Sequence, residues 1–268
     1  MLVAHHSDNL KAIYGIGSFF DKNLPSTWIR HDIDLILVVK SIENIPKEDW
    51  DNRFYPRQIE GYEVFIGYNT IEIYHDKQKF HEVSGANYKW ALIEIKYPEN
   101  SKLLYGKDIR DQLPDVSTLT FDCEDILARG LYHLEKSLKS KEFHITMREL
   151  SKAIFKTSFY ICVYFMDNFN YTSLIEIGKK LKDIVEIVGS VKDIEMFFEE
   201  AITYRTTGQF KTNLRELQRE FISFIINLLK TGFLHKRFED AELKIYLTKY
   251  FGGFPNLIRT LKEQSLIN

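Results

Sequence analysis

Two neighbouring segments constrain this chain more than any other feature. Ala12-Ile13-Tyr14-Gly15-Ile16-Gly17-Ser18 reads as a short apolar strand that ends in Gly-Ser. Asp32-Ile33-Asp34-Leu35-Ile36-Leu37-Val38-Val39 reads as a buried strand opened by two aspartates. Side chains two apart on a strand share a face, so Asp32 and Asp34 project together while Ile33 faces away. Two carboxylates held this close repel each other unless a positive charge lies between them. The natural occupant is a hard divalent cation with oxygen ligands, Mg²⁺ above all. The Gly-Ser turn supplies the complement: glycine lets the backbone approach a phosphate, and adjacent N–H groups with the serine hydroxyl bind its oxygens. The bland alternative is a tight turn followed by solvated aspartates. It leaves unexplained why two acids open an otherwise apolar strand.

Composition narrows the setting. A chain of 268 residues with 44% apolar and 28% charged residues can bury a sizeable core in one large or two modest domains. The net charge of −2 argues against a protein that coats nucleic acid nonspecifically, since that binding rests on many Lys/Arg–phosphate contacts. Two distant cysteines, Cys123 and Cys162, read as buried, reduced thiols of a cytoplasmic protein. The N-terminus lacks the pattern of a signal peptide. The longest apolar runs, 158–166 and 221–229, are about half the length that spans a bilayer, so no membrane association is expected. The eight histidines show no zinc-type spacing, and His5-His6 reads as a solvated terminus.

Strand and helix signals alternate over the first 120 residues or so, and the remainder is helical. Glu63-Val64-Phe65-Ile66 and Thr70-Ile71-Glu72-Ile73-Tyr74 read as two strands joined at Gly67-Tyr68-Asn69. Residues 77–96 read as one helix ended by Pro98, and Leu103 to Asp108 as a short strand and turn. Helices are expected at 124–140, 144–167, 171–187, 190–204, 211–231, 237–250 and 255–265. Gly208, Gly232 and Gly252-Gly253 supply breaks between them. The expected fold class is therefore α/β plus α, a mixed-sheet domain over 1–118 followed by an all-helical bundle over 119–268.

Gly17-Ser18 followed by Asp32-Ile33-Asp34-Leu35 resembles the signature of the DNA-polymerase-β-type nucleotidyltransferase superfamily. The layout beyond it is closest to the kanamycin (aminoglycoside) nucleotidyltransferases. The residues after Gly-Ser, Phe19-Phe20-Asp21-Lys22, depart from the family, which has a small residue and an arginine there. The resemblance implies a third carboxylate from a later strand, and Glu72 occupies that place. It sets Glu63 near the substrate. It also implies two Mg²⁺ ions held by Asp32, Asp34 and Glu72, with Gly17 and Ser18 on the β/γ-phosphates of a nucleoside triphosphate, ATP being the first choice.

In the helical half, Glu135 and Lys139 stand one turn apart on one helix face. The resemblance makes Glu135 the general base and Lys139 a nucleotide-phosphate contact; the ordinary reading is a surface ion pair. The expected activity is transfer of a nucleoside monophosphate to an acceptor hydroxyl, such as that of an aminoglycoside-like small molecule, with release of pyrophosphate. The alternative is a nucleotidyltransferase-fold regulatory or antitoxin-type protein that binds or modifies a protein or RNA partner. A homodimer is a further implication of the family.

Overall fold

The computed structural model describes residues 2–6, 8–166, 173–187 and 191–230, with Arg259, Lys262 and Glu263. The described residues form two compact units, one running to Asp122 together with Ser173, the other starting at Cys123.

The first unit is built on a mixed five-stranded sheet. Its strands are β1 (Leu10–Ile16), β2 (Asp32–Val39), β3 (Arg57–Ile59), β4 (Tyr62–Asn69) and β5 (Lys102–Gly106), in the spatial order β3-β4-β2-β1-β5. Only the central β2–β4 pair is parallel. Alternation along these strands divides the side chains between two faces. Leu10, Ile13, Leu37, Val39, Val64, Ile66 and Tyr68 take one face and form a cluster with Ile45. Val3 of helix α1 (Leu2–His6) and Trp50 of α2 (Lys47–Asp51) pack on that cluster. The other face carries Tyr14, Val38 and Asn69, whose amide bonds the Tyr74 hydroxyl. Here the buried Tyr74, Phe80 and Leu92 of α3 (Ile71–Tyr74), α4 (Lys77–Ser84) and α5 (Tyr88–Lys96) build a second apolar layer.

Four expectations are corrected. The hairpin at Gly67-Tyr68-Asn69 does not exist, because β4 runs straight through it. Gly67 is a packing glycine: a Cβ there would lie 2.9 Å from Ile36 Cδ1 on the neighbouring strand. Thr70 is an N-cap, its Oγ1 accepting the Ile73 N–H at 3.2 Å, and residues 71–74 are helical instead of extended. The true hairpin joins β3 to β4 through Glu60 and Gly61, at φ 50° and 84°. Residues 77–96 are two helices. Gly85 ends α4 at φ 61°, and Asn87 caps α5 by accepting the Trp90 N–H at 3.3 Å. Of His5-His6, expected to be solvated, His5 is exposed but His6 is buried against Tyr68 with ring centroids 5.5 Å apart.

The Leu103–Asp108 segment is structural. Asp108 accepts the Tyr14 hydroxyl at 2.8 Å and Arg110 Nη1 at 2.6 Å.

The second unit is helical: α6 (Cys123–Lys139), α7 (Phe143–Phe165), α8 (Leu174–Ile187), α9 (Asp193–Thr207) and α10 (Leu214–Lys230). A short connection makes α6 and α7 neighbours, and they approach closely enough that a Cβ on Gly130 would sit 3.0 Å from Thr157 Oγ1. Gly208 closes α9 at φ 83°. Phe197, Phe221 and Phe224 form the aromatic centre, with Phe197–Phe221 centroids 5.2 Å apart. Cys123 and Cys162 are buried free thiols, and burial pushes Cys162 up to about 12. The helices expected at 237–250 and 255–265, and the breaks at Gly232 and Gly252-Gly253, fall largely outside the described residues. No helix among the described residues is long and apolar enough to cross a membrane.

Candidate functional site

Strand pairing decides which acids meet. Asp32 and Asp34 begin β2 on one face. Because β4 runs parallel to β2 with Asp32 opposite Glu63 and Asp34 opposite Phe65, Glu63 stands on that same face, level with Asp32. Adjacent strands lie about 4.8 Å apart, so three carboxylate-bearing positions share one end of the sheet. Strand β1 runs antiparallel on the other side of β2, with Ile16 opposite Asp34. It therefore delivers the Gly17-Ser18 turn to the Asp34 carboxylate.

That turn is a single 3-10 turn (Gly17–Phe19), with the Phe20 and Asp21 N–H groups both donating to the Gly17 carbonyl at 3.0 Å. Gly17 is required twice over. Its φ of 70° is the left-handed region that disfavours a side chain, and a Cβ would lie 2.6 Å from Asp34 Oδ2. Gly15 is fixed by contact too, since a Cβ would fall 2.4 Å from the Phe20 ring. Arg30 ties the loop down, donating from Nε to the Ser18 carbonyl at 2.9 Å and from Nη1 to the Trp28 carbonyl at 3.0 Å. Phe19 meets Tyr62 edge to face at 5.8 Å, which links the turn to the start of β4. The Ser18 Oγ is buried and has no hydrogen-bond partner. A buried hydroxyl left without a partner is unfavourable, and here it follows the glycine that touches Asp34. Nearby, burial raises the Asp21 carboxyl above its ordinary range, against hydrogen bonds from Asn23.

The structure thus brings together Gly17, Ser18, Asp32, Asp34 and Glu63. It does not bring Glu72 to them. Asn69 stands six strand positions beyond Glu63 and pairs with Val38 at the far end of β2, a span of roughly 20 Å at the rise of a strand. Glu72 follows that far end, in the first turn of α3. Its pKa lies below the ordinary range because its own backbone N–H and the Thr70 hydroxyl bond the carboxylate. Of the two later acids, it is Glu63 and not Glu72 that stands level with the aspartates. The sequence signal that could have shown this is the run of β-forming residues from Tyr62 to Tyr68, read as one strand.

Glu135 and Lys139 lie on α6 of the second unit, where they form an ion pair with each other. They line a cavity of about 510 Å³ with Lys136, Ser140, Arg148 and Glu149. Beneath it His133 Nδ1 meets Glu149 Oε2 at 2.7 Å. Burial holds the His133 imidazole well below its usual pKa despite that carboxylate.

Sequence reasoning also missed a cluster of His5, His6 and Asp49, whose ligand atoms lie within 4.8 Å of one another. Arg57 Nη2 donates to Asp49 Oδ1 at 2.6 Å.

No family model, curated protein or solved structure matches this chain. The chemistry of the site is therefore read from its own side chains.

Proposed function

We propose that the first unit is a nucleotidyltransferase centre, moving a nucleoside monophosphate from a triphosphate, ATP in the first instance, to an acceptor hydroxyl. The observation that carries this reading is the meeting of Asp32, Asp34 and Glu63 at one end of the sheet with the Gly17-Ser18 turn against Asp34. Three carboxylates from two strands suit a hard divalent cation with oxygen ligands. The partnerless Ser18 hydroxyl and the side-chain-free Gly17 suit a phosphate beside it.

Mg²⁺ held by Asp32, Asp34 and Glu63 would offset the charge of the triphosphate and lower the pKa of the acceptor hydroxyl. The chain's own residues supply the rest. Ser18 Oγ donates to a phosphate oxygen, and Gly17 lets the backbone come close enough for its N–H neighbours to do the same. Arg30 fixes the turn through its carbonyl, so that these donors are oriented before nucleotide arrives. No step is assigned to Glu135 or Lys139.

Isothermal titration of ATP and GTP, with and without Mg²⁺, tests the reading. The wild-type chain is expected to bind one of them only when Mg²⁺ is present. Asp32→Asn, Asp34→Asn and Glu63→Gln should each weaken that binding about tenfold or more, and Glu72→Gln should leave it unchanged. Full nucleotide affinity in the folded Glu63→Gln and Asp34→Asn proteins would overturn the proposal.

A further inference from the structure

The opposite face of the same sheet holds a second group of metal-type ligands. Tyr68 alternates with Glu63 along β4, so it stands on the face away from the acids. The short helix α1 lays His6 on it. His6 is 3% exposed, and yet its ring is poorly bonded. Nδ1 has no hydrogen-bond partner, and Nε2 reaches only Asp49 Oδ2 and the Tyr68 hydroxyl, both at 3.5 Å. That separation is the outer limit of a hydrogen bond, and buried polar atoms in folded proteins nearly always find a partner. His5 Nε2 approaches the same Asp49 oxygen at 2.8 Å.

We propose that His5, His6 and Asp49 bind a first-row divalent transition cation, with Zn²⁺ as the expected occupant. Two imidazoles and one carboxylate form a mixed nitrogen–oxygen set, which favours such ions over Mg²⁺ or Ca²⁺. The ligand atoms lie within 4.8 Å of one another, a separation that bonds of about 2.0–2.2 Å to one central ion can close with small side-chain adjustments. Arg57 is the orienting partner. By holding Asp49 Oδ1 at 2.6 Å it turns Oδ2 toward the two imidazoles, the role that outer hydrogen bonds play around metal ligands. Three protein ligands leave a fourth position for water. Since α1, α2 and β3 each contribute to the cluster, the bound ion would fasten the N-terminal helix to the edge of the sheet.

The test uses the full chain, stripped with a chelator and dialysed. Zn²⁺ is titrated in competition with a chromophoric chelator, and Co²⁺ is added separately to give visible absorption bands. The expected result is one Zn²⁺ per chain, Co²⁺ bands of a low-coordinate site, and no displacement by excess Mg²⁺. His5 is half-exposed, so His5→Ala keeps the fold and should weaken Zn²⁺ binding by about tenfold or more. Asp49→Asn should abolish the Co²⁺ bands. Asp32→Asn should change neither, which separates this site from the proposed nucleotide centre. Substoichiometric Zn²⁺ in the wild type, or an affinity unaltered by His5→Ala, would overturn the assignment.

Discussion

Deleting the Ser18 hydroxyl should cost the fold nothing, which is unusual for a buried polar atom. Its Oγ makes no hydrogen bond, so Ser18→Ala removes an unsatisfied group and breaks no contact. The expected change in stability is between zero and a gain of about 1 kcal/mol, read as an equal or higher melting temperature. The same variant should lose nucleotide affinity by roughly tenfold, the worth of one hydrogen bond to a charged oxygen. A structural serine would behave the other way round, losing stability and leaving nucleotide binding alone. Gly17 gives the contrast. Its left-handed φ and the 2.6 Å approach to Asp34 mean that any side chain strains the turn and displaces the carboxylate together.

Among the elements, the β3–β4 hairpin shows most plainly where local sequence and local geometry disagree. A two-residue loop with positive φ at both positions is a type I′ turn, which favours Asn-Gly. Here its first position is Glu60 at φ 50°, exposed. A long side chain in the left-handed region costs about 1–2 kcal/mol relative to glycine, and asparagine costs less. Glu60→Asn should therefore raise stability by about 0.5–1 kcal/mol, seen as a shifted denaturant midpoint at constant slope. That hairpin escaped sequence analysis because Glu-Gly is a weak turn signal, while Gly67-Tyr68-Asn69 is a strong one. The strong signal misled: Gly67 is small to clear Ile36, a tertiary cause that local pattern does not display. The strand expected at 70–74 is helical, and Glu72 went with it to the far end of β4. Asp32, Asp34, Gly17 and Ser18 were legible because strand alternation and a Gly-Ser turn are local. Glu63 was legible only as a neighbour, since its place opposite Asp32 depends on a parallel pairing across 31 residues of chain. His6 was less legible still, because its burial rests on Tyr68, 62 residues away.

For the whole molecule, the near balance of 36 basic and 38 acidic residues leaves little net self-repulsion near neutrality. Acid sensitivity must then come from groups that fold into a changed environment. His133 is one: desolvation lowers it from 6.5 to about 4, against the pull of Glu149, with Lys152 and Lys156 adding to the lowering. The unfolded chain therefore binds a proton that the folded chain refuses. Its contribution to stability is complete above about pH 6.5 and is lost as pH falls toward about 4. Glu149, held low by His133 and by Lys152 and Lys136 despite its own burial, adds a loss of the same sign further into acid. His133→Gln keeps an amide donor for Glu149 and removes the titration. Stability, followed as the melting temperature, should fall more steeply between about pH 7 and pH 5 for the wild type than for His133→Gln, by up to about 2 kcal/mol. Parallel curves would mean that His133 takes up its proton inside the fold, as an ion pair with Glu149.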